Sequence, residues 1–309
     1  MRIGTRGSAL ALAQTNTAAD ALRKQGAEVE VVTITTEGDT SKASLASLGG
    51  TGVFASALRE ALLDGRVDVV VHSLKDLPTA QPVGLVIGAI PKREDARDAL
   101  CARDGLTLDT LPVGAKVGTG SPRRKAQLLA RRPDLEVVDI RGNVDTRLGK
   151  VGVDLDAVIL AAAGLNRLGR AEAITEFLEI AGWPTAPGQG AVAIEVRAGD
   201  EKLVEKLNHK TTRIVVEAER ELLGLLEAGC AAPIGANAFV DDGLLFLSGR
   251  VYSLDGSQRL TSSHALYLSD VKNPGSDLAQ RVSRELLDAG AASIAPLGAS
   301  SSANTGESS

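Results

Sequence analysis

Strand and helix patterns alternate through the first two-thirds of this 309-residue chain, and this alternation limits its fold more than any other feature. Apolar runs with strand character, such as 29–34, 85–90, 135–140 and 156–165, are separated by segments with helical periodicity. Near residue 211 the pattern changes to an amphipathic helix followed by alternating segments typical of antiparallel strands. We therefore predict parallel sheets with sites at the carboxyl ends of their strands, followed by a small α+β unit.

Two predicted helices begin with strong capping signals. Ser8 precedes a helical pattern that runs to about Gln25 and ends at Gly26. Ser121 precedes Pro122, and a serine N-cap with proline at the first helical position is a typical helix start. Because both serines follow predicted strands, both helix N-termini are expected at strand ends, where free N–H groups attract anions.

The composition sets limits on the function. Hydrophobic residues make up 44% and charged residues 24% of the chain, which is enough core material for two or three domains. The sequence shows neither a membrane span nor a signal-peptide pattern, so we expect a cytoplasmic protein. The net charge of −5 argues against nucleic-acid binding, so any anion site must be a local cluster. The three histidines and two cysteines lack zinc-ligand spacing, and no metal is expected.

The segment 67–79 ends a β-branched apolar run with the polar residues His72, Lys75 and Asp76. The carboxyl end of such a strand is where an α/β sheet places its ligand. An aspartate there can accept a hydrogen bond from a substrate N–H and stabilise a developing cation. It can equally order the turn before Pro78, and the residues alone leave both interpretations open. His72 is more typical of a structural group.

Basic residues recur at predicted strand ends in both halves of this acidic chain. They are Arg6, Arg123, Arg124, Arg141, Arg147 and Arg167. Arg123 and Arg124 lie in the first turn of a helix, where cations oppose the macrodipole and a bound anion would relieve the conflict. Simple solvation of each guanidinium is the alternative. The recurrence favours a cleft for a polycarboxylate or a polyphosphate.

The two cysteines lie in different surroundings. Cys101 is in an apolar run and is expected to be a small buried hydrophobic residue. Cys230 is in a glycine-flanked loop between a helix and a proline, where exposure would allow thiolate chemistry. No histidine partner is evident for it, so a structural role is the alternative.

Seven segments, in the same order along the chain, resemble the porphobilinogen deaminase family, also called hydroxymethylbilane synthases. They are TRGSALALAQ, VHSLKDLP, GTGSPRRKAQL, IRGNVDTRLGK, AAAGLNRLG, PGQGA and EAGCAAPIG, spread over residues 4–235. The resemblance implies an α/β fold with two lobes like those of periplasmic binding proteins, joined by a hinge, and a small α+β C-terminal domain. The implied divisions are 1–92 with 190–210 for the first lobe, 93–189 for the arginine-rich second lobe, 211–295 for the C-terminal domain and 296–309 for a disordered tail.

The resemblance also implies an activity and a cofactor. The family joins four porphobilinogen molecules head to tail, with loss of ammonia, onto a covalent dipyrromethane primer. Hydrolysis then releases hydroxymethylbilane for haem biosynthesis, and the family is usually monomeric. The implied attachment is a thioether at Cys230, and the implied catalytic carboxylate is Asp76. Implied cofactor contacts are Lys75, Asp76, Ser121, Arg123, Arg124 and Arg147. Implied substrate contacts are Arg6, Ser8, Phe54, Arg141, Arg147, Arg167 and Gln189.

One position departs from the family pattern. Thr51 stands where the family often has a lysine on a mobile loop over the cleft, which puts any contact of that lysine in doubt here. Two other functions stay open on the sequence. A two-lobed anion-binding protein would use the same arginines without chemistry, and a thiol-dependent hydrolase or transferase would use Cys230 as its nucleophile.

Overall fold

The computed structural model describes residues 1–35, 52–226 and 232–297, apart from the side chains of residues 52–54. Four predictions fall outside these described residues: Thr51, the Phe54 side chain, Cys230 and the tail from residue 298 onwards. The described residues contain no helix of the length and apolar character that crossing a bilayer requires.

The described residues form strands and helices in three groups. In chain order, the strands are β1 (Arg2–Thr5), β2 (Glu30–Thr33), β3 (Val69–Ser73), β4 (Leu85–Ala89), β5 (Asp98–Ala102), β6 (Lys116–Gly118), β7 (Glu136–Val138), β8 (Ala157–Ala161), β9 (Glu176–Leu178), β10 (Val192–Arg197), β11 (Ile234–Asp241), β12 (Leu244–Tyr252) and β13 (Arg259–Tyr267). The α-helices are α1 (Ala9–Lys24), α2 (Gly52–Leu63), α3 (Pro122–Arg131), α4 (Val144–Leu148), α5 (Ala162–Arg167), α6 (Lys210–Leu225), α7 (Pro274–Asp288) and α8 (Ala291–Ile294).

The first sheet has the order β2-β1-β3-β10-β4 and is covered by a helix on each face. Side chains alternate along β3, so Val69 and Val71 pack with α1 residues while Val70 packs with α2 residues. The strands β1, β2 and β3 pair in parallel, but β10 is antiparallel to both β3 and β4. The prediction of a parallel sheet is therefore confirmed for β1, β2 and β3 but wrong for β10, because the chain returns from the second lobe and enters the first sheet in the opposite direction.

The second sheet has the order β7-β6-β8-β5-β9, and β5 is antiparallel to both β8 and β9. The sequence did not indicate β5 or β9 as strands. It also predicted one strand over 156–165, whereas β8 ends at Ala161 and α5 begins at Ala162. Most of this apolar run is buried, and periodicity alone does not distinguish a buried strand from a buried helix.

The third sheet is antiparallel, in the order β11-β12-β13, and packs with α6 and α7. Its core continues into the first lobe, because Leu74 and Leu77 belong to the same buried cluster as Val216 and Leu222 of α6. The predicted class, α/β with a small α+β C-terminal domain, is confirmed. The domain boundaries stay a prediction.

Candidate active site

The polar residues after β3 lie on a short turn that is anchored by buried leucines. Residues Leu74–Asp76 form one turn of 3₁₀ helix, closed by a 3.2 Å hydrogen bond from the Leu77 backbone N–H to the Leu74 carbonyl. Leu74 and Leu77 are 0% and 4% exposed, whereas Lys75 and Asp76 are only half-buried. The leucines thus hold the turn against the core and leave the lysine and the carboxylate at its surface.

Asp76 borders a small cavity of about 70 Å³ next to the start of α1. Its polar lining is Arg6, Ser8, Gln14, His72, Ser73 and Asp76. Ser8 is the N-cap of α1 and accepts a hydrogen bond from the Ala11 N–H at 3.3 Å. Three predicted residues that follow strands, Arg6, Ser8 and Asp76, therefore line one cavity. The helix N-terminus at Ser8 favours anions there.

Lys75 lies between the two lobes in an electropositive environment. Its Nζ donates a hydrogen bond to Oε1 of Gln189 at 3.2 Å. The side chain as a whole is half-buried, but loss of hydration around its ammonium group lowers the pKa of Lys75 to about 8. Repulsion from Arg124 acts in the same direction, against the attraction of Asp76 and Asp98. The lysine is thus mostly charged at pH 7 and loses its charge as the pH rises through about 8.

Arginines of the second lobe interact electrostatically with the charged groups around Asp76. Burial lowers the pKa of Arg147, and repulsion from Arg124 and Arg141 lowers it further. Asp139 and Asp76 act in the opposite direction, so Arg147 is within electrostatic range of the first-lobe carboxylate. Several cations therefore share few carboxylates here, an arrangement that suits an anionic ligand.

Arg123 and Arg124 are bound inside the protein by one buried carboxylate. Asp98 is 0% exposed and accepts from Arg124 at 2.6 Å and from Arg123 at 2.8 Å. It also accepts from the Trp183 Nε1–H at 2.9 Å. Burial would raise the pKa of Asp98, but the two guanidiniums outweigh it and hold that pKa well below its ordinary value. Arg123 also donates to the Pro184 carbonyl at 3.0 Å, so its described contacts are internal.

The other predicted residues line the connections between the lobes. Gln189 is fully buried and donates from Nε2 to Asp98 at 2.8 Å, so its amide links Lys75 to the Asp98 network. Arg167 donates to the Gly190 carbonyl at 2.7 Å, and burial lowers its pKa. Ser121 is the N-cap of α3 and accepts from the Arg124 N–H at 3.4 Å.

Two buried acids that matter to this region were not predicted. Asp98 stands in the apolar run of β5, a strand that the sequence does not indicate. Glu195, in β10, is held by two-pronged contacts from Arg59 at 2.9–3.2 Å and lies 3.4 Å from Nε2 of His72. An acid inside an apolar strand is the signal that would have found both, because such a group requires a buried cation.

Two family models cover most of the chain. One, described as porphobilinogen deaminase, dipyromethane cofactor binding domain, matches residues 1–205, and a second, described as porphobilinogen deaminase, C-terminal domain, matches residues 213–288. The chain belongs to the porphobilinogen deaminase family. Porphobilinogen deaminases are transferases that polymerise porphobilinogen on a dipyrromethane cofactor, and this is the activity and the cofactor of the chain.

Individual porphobilinogen deaminases are similar over nearly the full length. The one from Leifsonia xyli subsp. xyli is 58% identical over 96% of this chain and 94% of its own. The one from Cutibacterium acnes is 51% identical over 98% of each. Among solved structures, a periplasmic substrate-binding protein of an ABC transporter from Coxiella burnetii gives a TM-score of 0.43 at 16% identity, covering 67% of this chain and 89% of that one.

The described residues fit the porphobilinogen deaminase cofactor, whose pyrroles carry acetate and propionate groups. Arg124 and Arg141 both repel the Arg147 guanidinium, and a bound anion would relieve this repulsion. Asp76 is the carboxylate that acts on both Lys75 and Arg147 and also borders the cavity. A ligand with several carboxylates and a pyrrole N–H therefore matches both kinds of group.

Proposed function

We propose that this chain polymerises four porphobilinogen molecules in the cleft at Asp76 and releases hydroxymethylbilane, with Asp76 as the catalytic carboxylate. The observation that carries this assignment is the position of Asp76 between the α1 cavity and the cations of both lobes. A binding protein would need the cations but would have no use for an acid among them, since that acid repels a carboxylate ligand.

The chemistry assigns a specific task to this acid. Loss of ammonia from the aminomethyl group of porphobilinogen leaves a cationic methylene-pyrrolenine. A carboxylate that accepts a hydrogen bond from the pyrrole N–H stabilises this cation as it forms, and such stabilisation is usually the largest catalytic contribution. Asp76 is held by the anchored turn, so it needs little rearrangement during the reaction. Lys75 is better suited to bind a substrate carboxylate.

The cations divide between two surfaces that would hold the growing chain. Arg6 and Ser8 border the α1 cavity and are proposed to bind the incoming porphobilinogen. Arg141, Arg147 and Arg167 are proposed to bind its carboxylates from the second lobe, because charge-assisted and bidentate contacts are strong. Phe54 and Gln189 complete the proposed set, and Gln189 also contacts both Arg124 and Lys75.

The proposed cofactor site consists of Cys230, as the point of attachment, and the charged and polar residues near Asp76. The contacts are Lys75, Asp76, Ser121, Arg123, Arg124 and Arg147. When bound, the dipyrromethane supplies the terminal pyrrole to which each porphobilinogen is joined. Cys101 is unsuited to a thioether because it is 2% exposed and burial raises the pKa of its thiol to about 12. A covalent anchor makes each addition intramolecular.

The proposal also covers the location, the oligomeric state and the binding partners of the enzyme. We infer a cytoplasmic monomer that binds porphobilinogen and no nucleic acid. The net charge of −5 supports the last point, because nucleic-acid binding usually requires a basic surface. A hinge between the lobes is also part of the proposal, since a chain that lengthens beside a fixed carboxylate needs room.

The first test is the intact mass of the denatured protein after incubation with porphobilinogen. We expect the chain mass plus two linked pyrrole units, an increment that is absent in Cys230→Ser and retained in the matched control Cys101→Ser. A wild-type chain that stays at its bare mass would refute the cofactor site.

The second test concerns Asp76. The variant Asp76→Asn should keep the cofactor but add porphobilinogen at least ~100-fold more slowly, a typical cost of removing one electrostatic catalytic contact. Asp76→Glu, which keeps the charge, should lose less. An unchanged rate constant in Asp76→Asn would refute the assignment of this residue while leaving the cofactor result intact.

A further inference from the structure

A guanidinium of the C-terminal domain reaches the turn that carries Lys75 and Asp76. Arg220 lies in α6 and is 8% exposed. Its Nη1 donates to the carbonyls of Leu74 at 3.2 Å and Leu77 at 2.9 Å, and its Nη2 donates to the carbonyl of Pro78 at 2.7 Å. One side chain thus binds three carbonyls around Asp76 from a different domain.

The three carbonyls are the described hydrogen-bond partners of the buried Arg220 guanidinium. Among the residues that the structure describes, no carboxylate forms an ion pair with Arg220. Burial lowers the pKa of Arg220 and repulsion from Arg59 adds to this, while Glu195 and Glu217 act in the opposite direction. Burying a cation is costly unless its donors are satisfied, so the geometry of the three carbonyls and the position of the guanidinium depend on each other.

The turn that carries Lys75 and Asp76 has few other described hydrogen bonds to its backbone near Arg220. The Leu74 N–H donates to the Ala191 carbonyl at 3.0 Å, and the Leu74 side chain lies beside Gly188, where an added Cβ would come within 3.1 Å. Within the described residues, the carbonyls of Leu77 and Pro78 accept only from Arg220. After Asp76 the turn is therefore held by the buried Leu77 side chain on one side and, among the described polar contacts, by Arg220 on its carbonyl side.

We propose that Arg220 is a positioning residue for the reaction: it fixes the carbonyl side of the turn from the C-terminal domain and thereby sets the place of Lys75 and Asp76. The inference rests on the proposed role of Asp76. The same helix, α6, leads directly into the segment that bears Cys230. The helix that bears Arg220 is therefore also the last described element before the segment with Cys230.

The inference predicts the order of two substitutions. Arg220→Gln removes the charge and cannot reach all three carbonyls, so the rate constant for each addition should fall roughly 100-fold, the effect of a misplacement of about 1 Å. Arg220→Lys keeps the charge but lacks the planar fork, and it should lose roughly tenfold. This partial rescue by the conservative variant is not expected of a residue that only fills space.

Arg213 provides a matched control on the same helix. It donates to the Ile87 carbonyl of β4 at 3.0 Å and pairs with Glu217 at 2.9 Å. It therefore also connects the C-terminal domain to the first lobe, but it does not contact the turn. Arg213→Gln should lower the melting temperature without changing the rate constant by more than about twofold.

The experiment mixes cofactor-loaded enzyme with porphobilinogen, quenches at set times and follows the first addition by intact mass. The rate constant reports on positioning, whereas the amplitude reports only on the fraction of folded, loaded molecules. Hydrogen exchange of the peptide covering residues 74–79 gives a readout independent of activity, and Arg220→Gln should exchange there faster than Arg213→Gln. If Arg220→Gln folds poorly, Arg220→Lys serves for both readouts.

Two outcomes would overturn the inference. In the first, Arg220→Gln loses amplitude but keeps the wild-type rate constant, which would leave only a structural role. In the second, it exchanges at 74–79 no faster than Arg213→Gln. Asp76→Asn, run in parallel, separates this inference from the proposed function. A normal rate in Asp76→Asn would refute the role of Asp76, whereas a slow Asp76→Asn beside a normal Arg220→Gln would refute only the role of Arg220.

Discussion

Removal of the charge of Asp98 should destabilise the second lobe severely. This carboxylate is 0% exposed and accepts from Arg123 at 2.8 Å, from Arg124 at 2.6 Å and from Trp183 at 2.9 Å. Asp98→Asn keeps the shape but leaves two buried guanidiniums without a counter-charge and directs an NH₂ group towards donors. Removing one partner of a buried ion pair typically costs about 3–5 kcal/mol, or roughly a hundredfold to several thousandfold in the ratio of folded to unfolded lobe.

The protein contains its own probe for this measurement. Trp183 is the single tryptophan of the chain and bonds Asp98 directly, so its fluorescence during urea denaturation reports on the second lobe. The matched control is Asp109→Asn, which removes an exposed pair with Arg131 and should leave the midpoint almost unchanged. An equal shift in both variants would refute the argument that the buried network stabilises the lobe.

The pH dependence gives a second check on the same residue. The pKa of Asp98 is held well below its ordinary value in the folded protein, so the unfolded chain binds the proton first as the pH falls. The stability that the ionised group contributes is complete above about pH 5 and is lost progressively below about pH 4. The advantage of wild type over Asp98→Asn should therefore shrink only in acid.

Three further predictions concern single groups. The affinity for porphobilinogen should fall between pH 7 and 9, because Lys75, with a pKa of about 8, loses the charge that attracts carboxylates. The variant Lys75→Arg should flatten this pH profile of the affinity. An identical profile in the variant would contradict the assignment of Lys75. Glu195→Gln should lower the melting temperature by several degrees, because it leaves the Arg59 guanidinium without its buried counter-charge, and calorimetry should show no comparable loss in Asp109→Asn. Cys101 should react slowly with iodoacetamide in the native state, because burial raises the pKa of its thiol to about 12, so rapid labelling in a peptide map would contradict the structure.

The sequence predicts helix ends correctly because the interactions that form them involve neighbouring residues. Ser8, Gln25 and Gly26 mark the two ends of α1 as predicted, and Ser121 with Pro122 marks the start of α3. In these places one side chain satisfies nearby backbone groups or one glycine adopts a left-handed conformation. No distant residue is required.

The non-local features were the ones that the sequence could not provide. The direction of β10 depends on the route of the chain through another lobe. The internal pairing of Arg123 and Arg124 depends on Asp98, which comes from a different element, β5, and reaches them only when the second lobe folds. Arg220 gave no signal, because its partners are carbonyls that any sequence would supply.

The position of β10 has a consequence for the order in which the protein is completed during synthesis. Among the described strands, β4 pairs only with β10, and β10 ends at Arg197. The second sheet needs only the residues from Asp98 to Leu178. A chain emerging from the ribosome can therefore close its second lobe while β3 and β4 of its first lobe still wait for the strand between them. The lobe that is made first is the one that is finished last.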